Sequence, residues 1–259
     1  EALRESVRGA LPRAIAELSE LVRIPSVSWD GFDAAPVQAS AERTAELLRG
    51  LAIFDEVLVD RAPGPDGVLG QPAVLARRAP AAGRPTVLLY AHHDVQPPGA
   101  DADWSSPPFE PTLRGDRLYG RGVADDKAGV MAHVAAIRAL VETAGDPELG
   151  IVVFIEGEEE FGSRSFGALL ERHRALLAAD VIVVADSDNW STETPSLTVG
   201  LRGNATFSLT VSTLGHASHS GMFGGAVPDA MLATIALLAT LHDADGSVAV
   251  EGLRSHEQV

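Results

Sequence analysis

Three short apolar runs, with helical sequence between them, constrain this chain most. Thr86-Val-Leu-Leu-Tyr90, Gly150-Ile-Val-Val-Phe-Ile155 and Val181-Ile-Val-Val-Ala185 read as buried strands. Lys127 to about Thr143 has the apolar spacing of an amphipathic helix, and Ser163 to Leu177 reads as a second helix. Strands that alternate with helices pair in parallel, because each crossover brings the chain back in the same direction. The expectation is an α/β fold, mostly parallel and in three layers.

Upstream, Leu3, Val7, Leu11, Ile15, Leu18, Leu21 and Val22 recur at helical spacing, and Pro25 stops that helix. A further helix is expected from about Ser40 to Leu51. Val57–Val59 and Ala73–Ala76 read as a hairpin joined through the turn cluster Pro63-Gly-Pro-Asp-Gly67. Residues 97 to 122 are rich in Gly, Pro and Asp, with a short extended piece at Arg117–Tyr119. The character changes near residue 200. Asn204–Ser212 alternates polar and apolar, as a strand with one open face does, and a helix follows from about Pro228 to His242. This suggests a domain over 1–200 and the start of a second over 201–259. One strand and one helix do not close a two-layer core, so the chain reads as a fragment or as lacking its remainder.

The 46% hydrophobic share is ample for a packed core, and the formal charge is −16. Such acidity argues against a nucleic-acid partner, which needs a basic footprint, and against docking on an anionic membrane. There are no cysteines, so disulfides and thiolate metal sites are excluded, and any transition-metal site must use His, Asp and Glu. No run of ~18 apolar residues suggests a membrane span. The start, Glu1-Ala-Leu-Arg-Glu-Ser6, has no apolar signal core, and a cytoplasmic location is the default.

Four clusters of His or acidic residues follow strand ends. The first is His92-x-Asp94. Residues two apart on a strand face one side, so the pair projects together from the end where α/β sheets build their sites. It is either a metal ligand with its orienting carboxylate or half of a proton-transfer pair. The second is Gly120-Arg-Gly-Val-Ala-Asp125-Asp126-Lys127. In isolation this would be a helix N-cap, yet glycines just upstream allow close backbone approach and a carboxylate there could bridge two cations. The third, Glu156-Gly-Glu158-Glu159-Glu160, packs four carboxylates into five residues after a strand. Like charges there repel unless cations or protons neutralise them. Two adjacent glutamates also suit two tasks, one oxygen ligand and one base beside the attacking water. The fourth is Asp186-Ser-Asp188. Singly each has a bland reading; together they describe a two-metal hydrolase.

These runs, with Gly162-Ser163 after the glutamates, resemble the dinuclear zinc peptidase family. That family includes carnosinase-type dipeptidases, glutamate carboxypeptidase, aminoacylase and succinyl-diaminopimelate desuccinylase. The resemblance covers roughly residues 85 to 230. Asp94-Val-Gln-Pro97 and Trp104-Ser-Ser-Pro-Pro-Phe109 look most like the dipeptidase branch. The resemblance implies two Zn2+ ions, with Mn2+ or Co2+ as alternatives. It makes His92, Asp125, Glu160 and Asp186 metal ligands, with Asp125 bridging and Asp186 sharing the first metal with His92. Asp186 is preferred to Asp188 because it directly ends the strand and lies at a family-like distance from Pro195 and Leu201-Arg-Gly203. Asp94 would orient His92, and Glu159 would be the general base. His219, in His219-Ser-Gly-Met-Phe-Gly-Gly225, matches a lid-domain histidine that reaches across a homodimer to the oxyanion. His93 and His216 are left as structural. A cis Asp125–Asp126 peptide is also implied.

Two positions depart from the family pattern. Ala128 stands where the family commonly has Gly, and no histidine cluster follows residue 242, where only His256 remains. The Glu160 metal therefore lacks one expected ligand. The implied activity is cleavage of the amide bond of dipeptides or short peptides. N-acyl-amino-acid deacylation is the alternative, as is a catalytically incomplete fragment that only binds metal or dimerises.

Overall fold

A computed structural model describes residues 1–253 except 202 and 205. The chain divides into two compact units, Glu1–Leu197 and Thr198–Val259. His256 lies outside the described residues.

The first unit opens with helices α1 (Ala2–Val22) and α2 (Ala35–Arg49). Strands β1 (Glu56–Asp60), β2 (Ala73–Arg78) and β3 (Thr86–His92) follow, then a small hairpin of β4 (Thr112–Arg114) and β5 (Arg117–Tyr119). Next come α3 (Lys127–Ala144), β6 (Gly150–Glu156), α4 (Phe166–Arg172) and β7 (Val181–Val184). The sheet order is β1-β2-β6-β3-β7. β6, β3 and β7 run parallel, and β1 and β2 extend the sheet as an antiparallel hairpin, so it is mixed.

From β3 the chain crosses to β6 on one side, then travels back past β3 to β7. Right-handed crossovers in opposite directions put their helices on opposite faces. The packing agrees. Val130, Val134 and Ile137 of α3 share a core with α1, α2 and Val153 and Ile155 of β6. Leu169 of α4 packs on the other face with Leu75, Val152 and Phe154. Three layers result, with β6 buried along its whole length.

Several boundaries differ from the sequence expectation. The α1 periodicity is only half used: Leu21 and Val22 are buried, while Leu3, Val7, Leu11 and Ile15 stay exposed. α4 starts three residues late because Gly162 and Ser163 both have positive φ, which no α-helix admits. β7 was expected to be buried, but Ile182 is 65% and Val184 54% exposed. It is an edge strand in this sheet, and apolar composition does not distinguish an edge from a centre. α2 begins earlier than expected, with a proline in its first turn, where the missing N–H costs nothing.

The second unit contains α5 (Ser220–Phe223) and α6 (Ala230–Ala239). Asp229 caps α6 by accepting from the Leu232 N–H at 2.9 Å. The strand expected over 204–212 is not found: its described residues join no ladder. Alternation prepares a strand, but a ladder needs a partner, and none lies among the described residues. No described helix is long and apolar enough to cross a membrane.

Two contacts tie α3 to its surroundings. Lys127 is fully buried, and its Nζ donates to the carbonyls of Leu21 at 2.8 Å and Ile24 at 2.7 Å. Each of these carbonyls, at and just beyond the end of α1, also accepts a backbone N–H, from Ile24 and Ser26 respectively. Arg138 grips Glu17 with two hydrogen bonds of 3.0 and 3.1 Å, the two side chains being 8% and 13% exposed. Burial pushes the Glu17 carboxyl up, but hydrogen bonds from Arg138 and Arg13 outweigh it and hold the group below its ordinary range.

Glu17→Ala should therefore destabilise the protein by about 1–3 kcal/mol, between the values for exposed and buried pairs. The depressed carboxyl contributes at neutral pH and loses its contribution as pH falls through the folded value. Urea unfolding of both proteins should accordingly converge in acid. Gly129→Ala should also destabilise, by about 1–3 kcal/mol, although alanine is the better helix former by ~1 kcal/mol. A Cβ there would collide with the Ala185 carbonyl and the Asp126 carboxylate. A higher melting temperature for Gly129→Ala would refute that packing.

Candidate metal centre

The parallel register sets three strand ends side by side. His92 of β3 lies opposite Glu156 of β6, and Tyr90 of β3 lies opposite Val184 of β7. The segments that follow these strands carry Asp94, Glu158–Glu160 and Asp186. Asp125 arrives from the loop before α3. The Asp125–Asp126 peptide is cis. Asp126 joins the end of β3 to the start of α3: its carboxylate accepts from the His92 N–H at 3.0 Å and the Gly129 N–H at 3.1 Å.

Asp94 is fully buried and meets four groups. Its carboxylate lies 3.2 Å from His92 Nδ1 and accepts from Ser28 Oγ at 2.6 Å. It also accepts from the backbone N–H of Glu159 at 3.2 Å and of Glu160 at 3.1 Å. With Nδ1 donating to Asp94, Nε2 is left to face the cluster. Nε2 lies 3.1 Å from Asp125 Oδ1, and 3.9 Å from both Glu159 Oε2 and Asp186 Oδ2.

The four carboxylates after β6 separate into two pairs. Glu156 and Glu158 are buried and bound by protein groups. Tyr90 OH donates to Glu156 at 2.8 Å, and burial pushes the Glu156 carboxyl up to about 7. Glu158 accepts from the Gln71 N–H at 3.1 Å and from both the N–H and the hydroxyl of Ser165. Glu159 and Glu160 are left at the cluster. Burial raises both of their carboxyls, with Asp125 and Asp94 adding to the effect. Gln96 Nε2 donates to Glu160 Oε2 at 2.6 Å, whereas Glu160 Oε1 is buried with no partner among the described residues.

Two groups among the described residues could each hold a metal ion: His92 with Asp125 and Glu160, and His92 with Glu159 and Asp186. The electrostatics fit a cation. Burial alone would lower the His92 imidazole, but hydrogen bonds to Asp125 and Asp94 and the charge of Asp94 and Asp126 raise it to about 11. A positive charge is thus strongly favoured among these oxygens. The donor set, one imidazole with carboxylates, suits a divalent ion. A cavity of about 500 Å³ adjoins the cluster, lined by Asp125, Asp126, Gly129, Asp186 and Asp188 among others.

Asp188 lines that cavity but belongs to neither group. His93 is wholly buried, with Nε2 2.8 Å from the Pro72 carbonyl, and burial pushes it down to about 4. His219 belongs to the second unit, immediately before α5, and to neither metal-ligand group. Sequence reasoning missed Ser28 and Gln96. Gln96 carried a faint signal, standing two residues after Asp94 on an extended segment; Ser28 carried none.

The residues of this cluster fall within known patterns. The profile of Peptidase family M20/M25/M40 matches residues 88–256. A cysteinylglycine-S-conjugate dipeptidase from Corynebacterium striatum is 39% identical over 181 residues, 70% of this chain and 40% of that protein. The human Beta-Ala-His dipeptidase is 33% identical over 87% of this chain and 47% of its own length. The structure of human carnosine dipeptidase 1 superposes with a TM-score of 0.71 at 29% identity, covering 97% of this chain and 54% of that one. The di-peptidase Dug1p from Saccharomyces cerevisiae shares the fold, with a TM-score of 0.75 at 24% identity, over 99% of this chain and 56% of that one. The chain spans about half the length of the curated relatives it matches. A profile that runs from inside β3 through every strand-end cluster, together with relatives of the same pattern, decides the assignment: the chain belongs to peptidase family M20/M25/M40.

Proposed function

We propose that this protein is a two-metal hydrolase that cleaves the amide bond of dipeptides or short peptides. The observation that carries this reading is the gathering of the Asp125, Glu159, Glu160 and Asp186 carboxylates around His92 Nε2, with the two adjacent glutamates in different environments. The dipeptidase names of its relatives supply the substrate class. The metals are divalent ions, zinc in this reading. His92, Asp125 and Asp186 would hold one, and Asp125 and Glu160 the other. Bound there, the ions supply Lewis acidity that polarises the scissile carbonyl and acidifies the attacking water.

The chain's own residues do the rest. Asp94 fixes the His92 ring through Nδ1 and presents Nε2 to the cluster. Glu159 takes the proton of the attacking water and delivers it to the leaving amine. Its carboxylate accepts no hydrogen bond among the described residues, so it is free to receive that proton. Residues 1–200 form the catalytic domain in this reading, and 201–259 part of a lid through which the protein is a homodimer. His219 then steadies the tetrahedral oxyanion in the partner's site.

Glu159→Gln should lower kcat by about 10²–10⁴-fold while metal content stays near that of the wild type. Glu160→Gln should lower metal content as well. Metal analysis beside a dipeptide hydrolysis assay separates the two, and near-normal turnover by Glu159→Gln would remove the base assignment. His219→Ala should lower kcat by about 10²–10³-fold with a smaller change in KM, since the oxyanion contact strengthens in the transition state. Mixed dimers of His219→Ala and Glu159→Gln subunits should regain one working site. Verified heterodimers without recovered activity would show that His219 does not act in trans.

A further inference from the structure

Glu159 and Glu160 are chemically identical neighbours, yet the proposed reading gives them different tasks. Something must make one a fixed ligand and leave the other mobile. Both have their backbone N–H groups on Asp94. The difference lies in the side chains. Gln96 Nε2 donates to Glu160 Oε2 at 2.6 Å and also approaches the Glu160 carbonyl at 3.4 Å. The carboxylate accepts only, so the amide must present its nitrogen. Glu159 has no such partner among the described residues.

Gln96 is itself held firmly. The Val95 N–H donates to the Ser26 carbonyl at 3.0 Å, and Val95 pairs with Val27 in a parallel bridge. The Val95 side chain is fully buried against Gly122, where a Cβ would lie 2.6 Å from Val95 Cγ1. Pro97 and Pro98 follow. A residue before proline is confined to extended backbone, which limits where the Gln96 side chain can start. The Trp104 indole N–H donates to the Pro98 carbonyl at 2.8 Å and fixes the segment beyond. One loop therefore holds Glu160 at two points, by Asp94 at the backbone and by Gln96 at the carboxylate.

We propose that Gln96 is a positioning residue that occupies one oxygen of Glu160, leaves the buried and partnerless Oε1 for a divalent ion, and so separates the ligand glutamate from the base glutamate. The inference rests on the ligand assignment of Glu160 made above. Gln96→Met keeps the length and removes the donor. Gln96→Glu also keeps the length and places a second carboxylate against the first.

The test is titration of the metal-free full chain with Zn2+ by calorimetry, and with Co2+ by visible absorption, for wild type, both Gln96 variants and Glu160→Gln. Gln96→Met should weaken one of two metal equivalents by about 10–100-fold and leave the other unchanged. Gln96→Glu should alter that same equivalent and leave the other unchanged. The Co2+ absorption of the affected site should change in shape, because a released Glu160 can bind through both oxygens. Wild-type affinity and spectrum in Gln96→Met would overturn the proposal. So would parallel weakening of both equivalents with a lower metal-free melting temperature, which marks a merely structural role. If Glu160→Gln retains both equivalents, the ligand assignment falls and takes this inference with it. If Glu160→Gln loses one and Gln96→Met loses none, the inference about Gln96 falls alone.

Discussion

The candidate centre depends on one buried carboxylate. Asp94 reaches from the segment after β3 to the His92 ring, to Ser28 and to the two backbone N–H groups of the turn after β6. A buried charge is costly unless its lone pairs are satisfied, and these four groups satisfy them. The same bonds place an imidazole nitrogen and two carboxylates within reach of one another. Stabilising Asp94 and assembling the cluster are therefore a single act of folding. Loss of any one of these donors would be felt by the other three.

The concentration of negative charge is handled by division. Glu156 and Glu158 are turned into the protein and given Tyr90, Ser165 and Gln71 as partners. Asp126 is turned to the start of α3. What remains around His92 Nε2 is a small set of carboxylates, offset among the described residues by the imidazole and, at Asp125, by the charge of Arg121. That imbalance is what gives a divalent cation its place, and it explains why the imidazole is driven so far toward its charged form.

The sequence was legible where periodicity and spacing carry the information. Six of the seven residues of β6, the helix from Lys127 and the strand-end position of His92 followed from local pattern. Coverage was not legible. Val181–Val184 has the composition of a central strand and sits at an edge, and the stripe on α1 is buried only in its second half. Burial depends on what lies across an element, which no local window contains. Nor did four acidic residues in five reveal which two would face inward, because that division is decided by Tyr90 and Ser165, 66 and 7 residues from their partners. The partner of Gln96 was hidden for the same reason, being 64 residues away.

Lys127 gives the arrangement a reach beyond its chemistry. Its buried side-chain nitrogen donates to two carbonyls at the end of the first helix, while its backbone follows directly on the two aspartates of the cluster. The helix cannot undock without exposing that lysine, and the lysine cannot move without disturbing Asp125 and Asp126. Anything bound only by the native cluster lends its binding free energy to this linkage. Local opening at the amino terminus is thereby coupled to occupancy of the centre. The amide protons of the first helix become a gauge of how full the site is, read by exchange with solvent many residues away in the sequence.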